Sequence, residues 1–359
     1  MTQPEGTNRR DAITDVGGLR VGHARVEGDG ALSGTTVVLA PEGGVVAAVD
    51  VRGGGPGTRE TDALDPRNVV QRIDAVVLTG GSAYGLESAT GVMAWLEERH
   101  RGVRVGPDPS HVVPVVPAAC VFDLGRGGDF AARPDAATGR AAAEAADASG
   151  DHARVETGAV GAGTGAVVGG LRGGVGTASA VLESGITVGA LVVVNAVGSA
   201  VDPATGALYG SFYAEGGPPP FPAAAVHEAA VRRLTEARAA SVPPPLNTTL
   251  AVVATDAALT RAQAQKVAGT AHDGIARALR PVHLMNDGDT VFALATGVRE
   301  LPDGPGPLAL NEVLAAGADL VTRAIVRAVL AAPGGRRGPG GDFPSYGELY
   351  GTEPVPYSR

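Results

Sequence analysis

The sequence predicts a layered α/β sandwich. Short Val-rich runs separated by Gly clusters predict strands, and between them lie segments in which Ala and Leu recur at helical spacing. Helices that segregate around interspersed strands favour a layered sandwich over a parallel doubly wound sheet. With 54 Gly and 4% aromatic residues in 359, we expect tight turns and a core of Val, Ala and Leu.

The elements are expected along one domain, 1–359, without internal repeats. The predicted strands cover residues 18–23, 35–39, 45–50, 75–78, 174–182, 187–195, 249–255 and 290–296. The predicted helices cover residues 87–100, 136–148, 221–240, 261–279 and 308–330. A Pro-rich connector, 241–246, leads into the strand at 249. Residues 333–359 are rich in Gly, Pro and Arg and are expected to form a flexible tail.

Composition and charge exclude several classes of function. Cys120 is the single cysteine, so no intramolecular disulfide forms and a cytoplasmic location is expected. The net charge of −9 and the lack of a basic stretch with interleaved aromatics argue against nucleic-acid binding. No apolar run is long enough for a membrane span, and the polar amino terminus lacks the apolar segment of a signal peptide.

No cofactor or metal is expected. The seven histidines show no metal-ligand spacing such as H-E-x-x-H. The glycine-rich segment 80–85 departs from the G-x-G-x-x-G spacing of dinucleotide-binding loops.

The junction Asn247-Thr248 is a candidate self-cleavage point. If this bond breaks, Thr248 becomes an N-terminal residue that carries a hydroxyl group and an α-amine together. The amine, with an unperturbed pKa of about 7.7–8.0, is suited to act as the general base. The alternative is an ordinary strand start, because Thr favours strands and Pro-rich segments commonly precede them.

Asn195 and the pair Asp287 and Asp289 are further candidates. Asn195 ends an apolar strand, where its amide can donate to a developing oxyanion; the alternative is a turn asparagine. Asp287 and Asp289 flank Gly288, so their carboxylates can point the same way and raise each other's pKa. The alternative for this pair is an ordinary turn. The segment also resembles a fragment of a calcium-binding loop, but the rest of an EF-hand is missing.

Seven segments in a fixed order resemble one family. The sequence resembles the DmpA-type aminopeptidases, which include L-aminopeptidase/D-esterase, β-peptidyl aminopeptidases and the endo-type nylon-oligomer hydrolase. The resemblance rests on residues 13–23, 52–62, 78–86, 160–165, 194–198, 247–249 and 286–290.

The resemblance implies a four-layer αββα sandwich and a precursor that cuts itself before Thr248. The products would be an α chain, 1–247, and a β chain, 248–359, which stay associated within a homotetramer. Asn195 would hold the oxyanion, and Asp287 and Asp289 would adjoin the nucleophile. Asn before Thr is closest to the nylon-oligomer hydrolase branch, because the aminopeptidase branch more often has Gly-Ser.

Other positions depart from the family or have open roles. The nylon-oligomer hydrolase has a site lysine where this chain has Gly170 or Arg172, and arginine cannot act as a base, although it can orient a carboxylate or stabilise negative charge. Proton transfer is therefore assigned mainly to the Thr248 amine. The backbone of Gly80 and Gly81 is a candidate second oxyanion donor. Tyr84 either lines the substrate pocket or packs as an ordinary tyrosine.

The sequence thus predicts a self-processing amide hydrolase that needs no cofactor. Its substrates would be small peptides or unusual amides, such as β-peptides or aminohexanoate oligomers. An acyltransferase with the same threonine nucleophile and an uncleaved, non-enzymatic binding protein are the alternatives.

Overall fold

Two five-stranded sheets form the centre of the structure, a computed structural model that describes residues 9–213, 221–241, 246–302 and 308–351. The strands are β1 (Arg20–Arg25), β2 (Gly34–Leu39), β3 (Val46–Val51), β4 (Thr58–Arg59), β5 (Ala75–Thr79), β6 (Val103–Arg104), β7 (Val112–Val113), β8 (Ala118–Cys120), β9 (Val167–Val168), β10 (Leu171–Arg172), β11 (Gly174–Val181), β12 (Thr187–Asn195), β13 (Thr248–Ala257), β14 (Thr290–Arg299), β15 (Arg336–Gly338) and β16 (Gly341–Phe343). The helices are α1 (Ser82–Gly85), α2 (Ser88–Glu97), α3 (Ala136–Ser149), α4 (Ala224–Ala239), α5 (Arg261–Ala278), α6 (Leu308–Leu330) and α7 (Tyr346–Tyr350).

The two sheets are built on similar plans. The first has the order β1-β2-β5-β8-β4 and the second the order β11-β12-β13-β14-β3. Each is antiparallel except for one parallel pair, β5 with β8 and β13 with β14. Strand β3 comes early in the chain yet pairs with β14, so residues from both sides of the Asn247-Thr248 junction share the second sheet.

Three apolar clusters define the layers. Alternate residues of β12 face opposite sides: Leu191 and Val193 join a cluster that also contains Val76 of the first sheet, whereas Val192 and its alternates pack toward α5 and α6. A third cluster lies between the first sheet and helices α2 and α3. Because a strand has a side-chain period of two, both faces of each sheet are covered, which gives the four-layer αββα sandwich.

Glycines allow the outer helices to approach the sheets closely. A Cβ on Gly22 of β1 would lie 2.2 Å from the Ala142 carbonyl of α3. A Cβ on Gly176 of β11 would lie 2.0 Å from the Ala324 carbonyl of α6. Both distances are far below van der Waals contact, so only glycine fits where these backbones meet.

The helices begin where the sequence provides caps. The Asp135 carboxylate accepts the Thr138 N–H (2.8 Å) at the start of α3. Thr260 does the same for the Gln263 N–H (3.2 Å) at the start of α5. Each cap satisfies a backbone donor that has no partner within the helix. Among the helices of the described segments, none combines the length and hydrophobicity that crossing a bilayer requires.

The expectation of a flexible tail is wrong for residues 333–351, and residues 352–359 lie outside the described residues. Strands β15 and β16 form a hairpin and α7 follows it. Phe343 and Tyr346 are buried, and the Tyr346 hydroxyl donates to the Gly206 carbonyl (2.9 Å). The high Gly, Pro and Arg content predicted a tail, although these two aromatic side chains anchor the segment to the core. The connector at 242–245 also lies outside the described residues.

Candidate active site

Three strand ends bring the predicted site residues together. Strand β12 ends at Asn195, β13 begins at Thr248, and the antiparallel ladder pairs these two residues directly. Strand β14 runs parallel to β13, and the turn that precedes it places Asp287 beside Asn247 through an isolated bridge. Since neighbouring strands lie about 4.8 Å apart, residues distant in sequence become direct neighbours.

The peptide bond before Thr248 is held by several hydrogen bonds. The buried Thr248 hydroxyl donates to the Asn247 carbonyl oxygen (Oγ1 to O, 2.6 Å). The Gly288 N–H donates to the same oxygen (3.0 Å), and the Asn247 N–H donates to the Asn286 carbonyl (3.0 Å). Gly288 is also close to the hydroxyl, since a Cβ at this residue would lie 2.6 Å from Oγ1. The carbonyl group next to Thr248 is therefore polarised by two donors, and one of them is the Thr248 hydroxyl itself.

Asn195 is fully buried and its amide orientation is fixed. Its Oδ1 accepts the Val167 N–H (3.0 Å) and an N–H of the Arg126 guanidinium. Its Nδ2 donates to the Phe122 carbonyl (3.3 Å). An amide nitrogen carries two hydrogens, so one N–H remains to donate to an oxyanion.

Arg126 is a buried cation that the sequence did not reveal. Its guanidinium donates to the Gly165 carbonyl (2.7 Å), to Asn195 Oδ1 and to Asn247 Oδ1 (3.0 Å). Burial lowers its pKa to about 10, against the opposing effect of Asp123. The side chain therefore stays protonated at neutral pH. It links Asn195, the ladder partner of Thr248, to Asn247, the residue before Thr248. The only sequence signal is a charged residue in a Gly-rich loop that follows a buried strand.

The two aspartates differ in their partners, although both are buried. Asp289 is fully engaged: Oδ1 accepts the Thr249 N–H (2.7 Å) and Oδ2 meets His283 Nδ1 (2.7 Å). Asp287 Oδ2 accepts the Leu284 N–H (2.9 Å), while its Oδ1 has no hydrogen-bond partner among the described residues. Burial, and to a smaller extent the charge of Asp289, raises the pKa of Asp287. Asp287 is thus the carboxyl better able to hold a proton.

His283 is a second site residue that the sequence did not indicate, and its ring contacts Asp289. Its ring lies edge-on to the His272 ring, with centroids 4.9 Å apart. Nε2 of His272 lies 3.0 Å from the Asp50 carbonyl oxygen, and burial lowers the pKa of His272 to about 4. His272 is therefore neutral at neutral pH. The clue to His283 is its place four residues before Asp287 in the turn that leads into β14.

Comparison with protein families gives a direct assignment. The profile of peptidase family S58 matches residues 11–338. The chain belongs to peptidase family S58. This confirms the predicted kinship with the DmpA-type aminopeptidases and the prediction of an enzyme that acts on amide bonds.

Relatives of two kinds are similar to this S58 chain. An uncharacterized aminopeptidase of Mycobacterium tuberculosis (strain ATCC 25618 / H37Rv) is 49% identical over 359 residues, covering 95% of this chain and 98% of that protein. A 6-aminohexanoate-oligomer endohydrolase of Kocuria sp. (strain KY2) is 32% identical over 302 residues, covering 84% and 79%. Among solved structures, an L-aminopeptidase D-Ala-esterase/amidase of Ochrobactrum anthropi, described as a variant of the Ntn hydrolase fold, superposes with a TM-score of 0.70 at 23% identity over 98% of this chain and 97% of that one. The predicted fold is thereby confirmed.

Gly80, Gly81 and Arg172 of this S58 member lie differently from expectation, and the role of Tyr84 stays a prediction. The Gly80 N–H donates to the Gly34 carbonyl (2.9 Å) and the Gly81 N–H to Asp123 Oδ1 (2.6 Å), so both candidate oxyanion donors are already engaged. Tyr84 is exposed, with the Arg133 guanidinium over its ring (3.8 Å).

Arg172, which with Gly170 is one of the two candidates for the position of the site lysine, is buried in β10 and donates to the Thr164 carbonyl (3.3 Å). Among the described residues, no hydrogen bond joins it to Thr248, Asn195 or Asp287. The cation bonded to Asn195 is instead Arg126, because the loop after β8 passes beneath the end of β12.

A cavity of about 270 Å³ adjoins Asn247. Its walls are mainly apolar, and the residues that line it are Val167, Gly169, Gly170, Ala196, Val197, Arg238, Ser241, Asn247, Asp342 and Phe343. The last two belong to the segment that had been expected to be a tail. Across the described residues, no group of three or more His, Cys, Asp or Glu side chains is arranged to hold a metal ion.

Proposed function

We propose that the chain cleaves itself between Asn247 and Thr248 and then hydrolyses amides of amino acids through the N-terminal threonine. The observation that carries this proposal is the Asn247 carbonyl, which accepts hydrogen bonds from both the Thr248 hydroxyl and the Gly288 N–H. A carbonyl polarised in this way, with a hydroxyl beside it, is prepared for attack.

Self-cleavage would proceed by an acyl shift. The Thr248 oxygen forms a bond to the Asn247 carbonyl carbon, and the Gly288 N–H stabilises the oxyanion. The carbon–nitrogen bond then breaks as the Thr248 nitrogen takes the proton that the hydroxyl gave up, which leaves an ester and a free amine. Water hydrolyses the ester, giving a carboxylate on Asn247 and a free amine and hydroxyl on Thr248.

The same oxygen would then attack substrates. The Thr248 amine, with an unperturbed pKa near 7.7–8.0, removes the hydroxyl proton and returns it to the leaving amine. The free N–H of Asn195 Nδ2 stabilises the oxyanion together with the Gly288 N–H, which already donates to the Asn247 carbonyl in the uncleaved chain (3.0 Å). Water then releases the acyl group from Thr248. Asp287, whose raised pKa favours its protonated form, supplies a second proton-carrying group beside the bond.

Both products would stay in one particle. Strand β13, which begins at Thr248, lies between β12 and β14, and β3 closes the edge of the same sheet. A cut at its first residue leaves β12 and β3 on the 1–247 chain and β13 and β14 on the 248–359 chain. Separating the chains would break two backbone ladders and expose a buried core. Assembly into a homo-oligomer and a cytoplasmic location remain predictions.

The names of the relatives suggest two substrate classes, peptides with a free amino terminus and aminohexanoate oligomers. An acyltransferase would share the acyl-threonine intermediate and would be distinguished by transfer to an added amine in preference to water. An uncleaved binding protein would stay one chain and hydrolyse neither amides nor esters.

Intact mass spectrometry of the purified protein tests the proposal. We expect two chains whose masses equal residues 1–247 and 248–359, and hydrolysis of aminoacyl p-nitroanilides that grows in step with cleavage. Thr248→Ala should remain one inactive chain, whereas the matched Thr248→Ser keeps a hydroxyl and should still cleave. A wild-type chain that stays intact on prolonged incubation would refute self-processing.

A further inference from the structure

The residue before the cleaved bond occupies the place of a substrate. If the proposed function holds, Thr248 Oγ first attacks the Asn247 carbonyl and later attacks substrate carbonyls from the same position. The acyl residue of a substrate must therefore bind where Asn247 lies in the uncleaved chain. The contacts of Asn247 consequently describe the acyl subsite of the mature enzyme.

Backbone contacts at this subsite suit an amino-terminal residue. The Asn247 N–H donates to the Asn286 carbonyl (3.0 Å). A substrate residue placed in the same way presents its α-amino group to that carbonyl oxygen, which is a suitable acceptor. The adjoining cavity of about 270 Å³ leaves room beside the subsite.

The side-chain contact is more selective. Asn247 is buried, and its Oδ1 accepts a hydrogen bond from Arg126 Nη2 (3.0 Å). The other guanidinium nitrogen is held by the Gly165 carbonyl (2.7 Å) and by Asn195 Oδ1. Arg126 therefore cannot easily turn away when the 1–247 chain end withdraws. Its Nη2 would then be a buried, charged donor without an acceptor, facing the vacated subsite.

We infer that Arg126 is a specificity-determining residue that selects acyl residues with a hydrogen-bond acceptor at the position of Asn247 Oδ1, so that the mature enzyme prefers N-terminal asparagine and aspartate. This inference rests on the proposed function. Leucine has the same branching as asparagine without the acceptor, and it leaves the guanidinium unpaired. Sites built to hydrogen-bond a substrate group reject analogues that lack it more strongly than apolar pockets reject a changed shape.

The test compares isosteric substrates on the self-cleaved wild-type protein. We expect kcat/KM for asparaginyl p-nitroanilide to exceed that for leucyl p-nitroanilide by about 10- to 100-fold, the value of one charge-assisted hydrogen bond. The kcat/KM for the aspartyl anilide should be close to that for the asparaginyl anilide, and the kcat/KM for the alanyl anilide close to that for the leucyl anilide. A cleaved, active enzyme that hydrolyses the leucyl substrate as well as the asparaginyl one would overturn this inference alone. An uncleaved, inactive chain would overturn the proposed function as well.

Arg126→Met identifies the residue responsible. Arg126 also holds Asn195, so hydrolysis of both anilides should slow, and the informative quantity is their ratio. We expect the asparaginyl preference to collapse to near unity in Arg126→Met and to persist in part in Arg126→Lys, which keeps a charged donor. A slow variant that retains the full preference would contradict the role of Arg126.

Self-cleavage provides a second measurement that leaves Arg126 intact. Asn247→Leu removes the acceptor, and Asn247→Asp keeps it. We expect the leucine variant to cleave at least about tenfold more slowly than the aspartate variant. Equal cleavage rates, followed by mass spectrometry after synthesis, would show that Arg126 does not select this residue.

Discussion

The two sides of Thr248 differ in how completely their polar groups are paired. On one side, the carbonyl oxygen of Gly165, Oδ1 of Asn195 and Oδ1 of Asn247 all accept hydrogen bonds from Arg126. On the other side, Asp287 Oδ1 and His283 Nε2 are buried without a hydrogen-bond partner among the described residues. Most buried polar groups in proteins are paired. We predict that the paired side holds a carbonyl in place and that Asp287, on the unpaired side, transfers protons.

Asp287→Asn tests the unpaired side and should have the largest effect. Asparagine keeps the shape and can still accept the Leu284 N–H that Asp287 Oδ2 now accepts (2.9 Å), but it carries no exchangeable acid proton. If Asp287 transfers protons, kcat should fall by about 10²- to 10⁴-fold, the usual contribution of general acid–base catalysis. Purified variant and wild type would be compared by intact mass and anilide hydrolysis. Wild-type rates in the variant would assign Asp287 a packing role and would break the contrast between the two sides.

A smaller effect is expected at His283, which positions Asp289. Its Nδ1 meets Asp289 Oδ2 (2.7 Å), and its backbone adopts a left-handed conformation with φ of 57°. Asparagine and glycine both tolerate this conformation, so His283→Asn keeps a donor and His283→Gly removes it without backbone strain. We expect kcat to fall about tenfold in the glycine variant and to be largely rescued in the asparagine variant.

Rescue by asparagine separates this role from simple packing. A lost hydrogen bond to Asp289 is restored in His283→Asn, whereas looser packing around the smaller side chains should lower the rate in both variants alike. Equal rates in the two variants would show that the contact with Asp289 contributes nothing.

The sequence predicted the positions of the strand ends at the site well, and the contacts of the loop residues poorly. Thr248, Asn195 and Asp287 each adjoin an apolar run with a clear strand period, and strand pairing then makes them neighbours. Arg126 and His283 lie in turns, where no periodicity indicates which way a side chain points.

Errors at the other positions have a related cause. The turn at Gly80-Gly81 was predicted from its glycines. The sequence does not show, however, that Asp123, 42 residues away, accepts the Gly81 N–H. Similarly, composition suggested a tail at 333–351, where two spaced aromatics, Phe343 and Tyr346, anchor the chain. Long-range partners of loop residues depend on the whole fold, which local patterns do not encode.

The smallest expected effect concerns Asp123, the one carboxyl beside the paired side, whose Oδ1 accepts the Gly81 N–H (2.6 Å) while its Oδ2 has no hydrogen-bond partner among the described residues. Asp123 is buried near Arg126, and burial raises its pKa to about 6 although the Gly81 N–H and the Arg126 charge favour ionisation. The folded state thus keeps a proton that the unfolded state, with a carboxyl pKa near 3.8, has already released. Between about pH 4 and pH 6 the folded protein binds more protons, so this group lowers the free energy of unfolding as pH rises and adds no further change above pH 6.

Asp123→Asn should remove this slope while it keeps an oxygen for the Gly81 N–H. The difference in unfolding free energy between wild type and variant should change by at most about 3 kcal/mol from pH 4 to pH 6, as measured by urea denaturation across that range. Because His23 and the other titrating groups are common to both proteins, their contributions cancel in the difference. A difference that stays constant with pH would mean that Asp123 ionises normally and that the Arg126 charge compensates its burial.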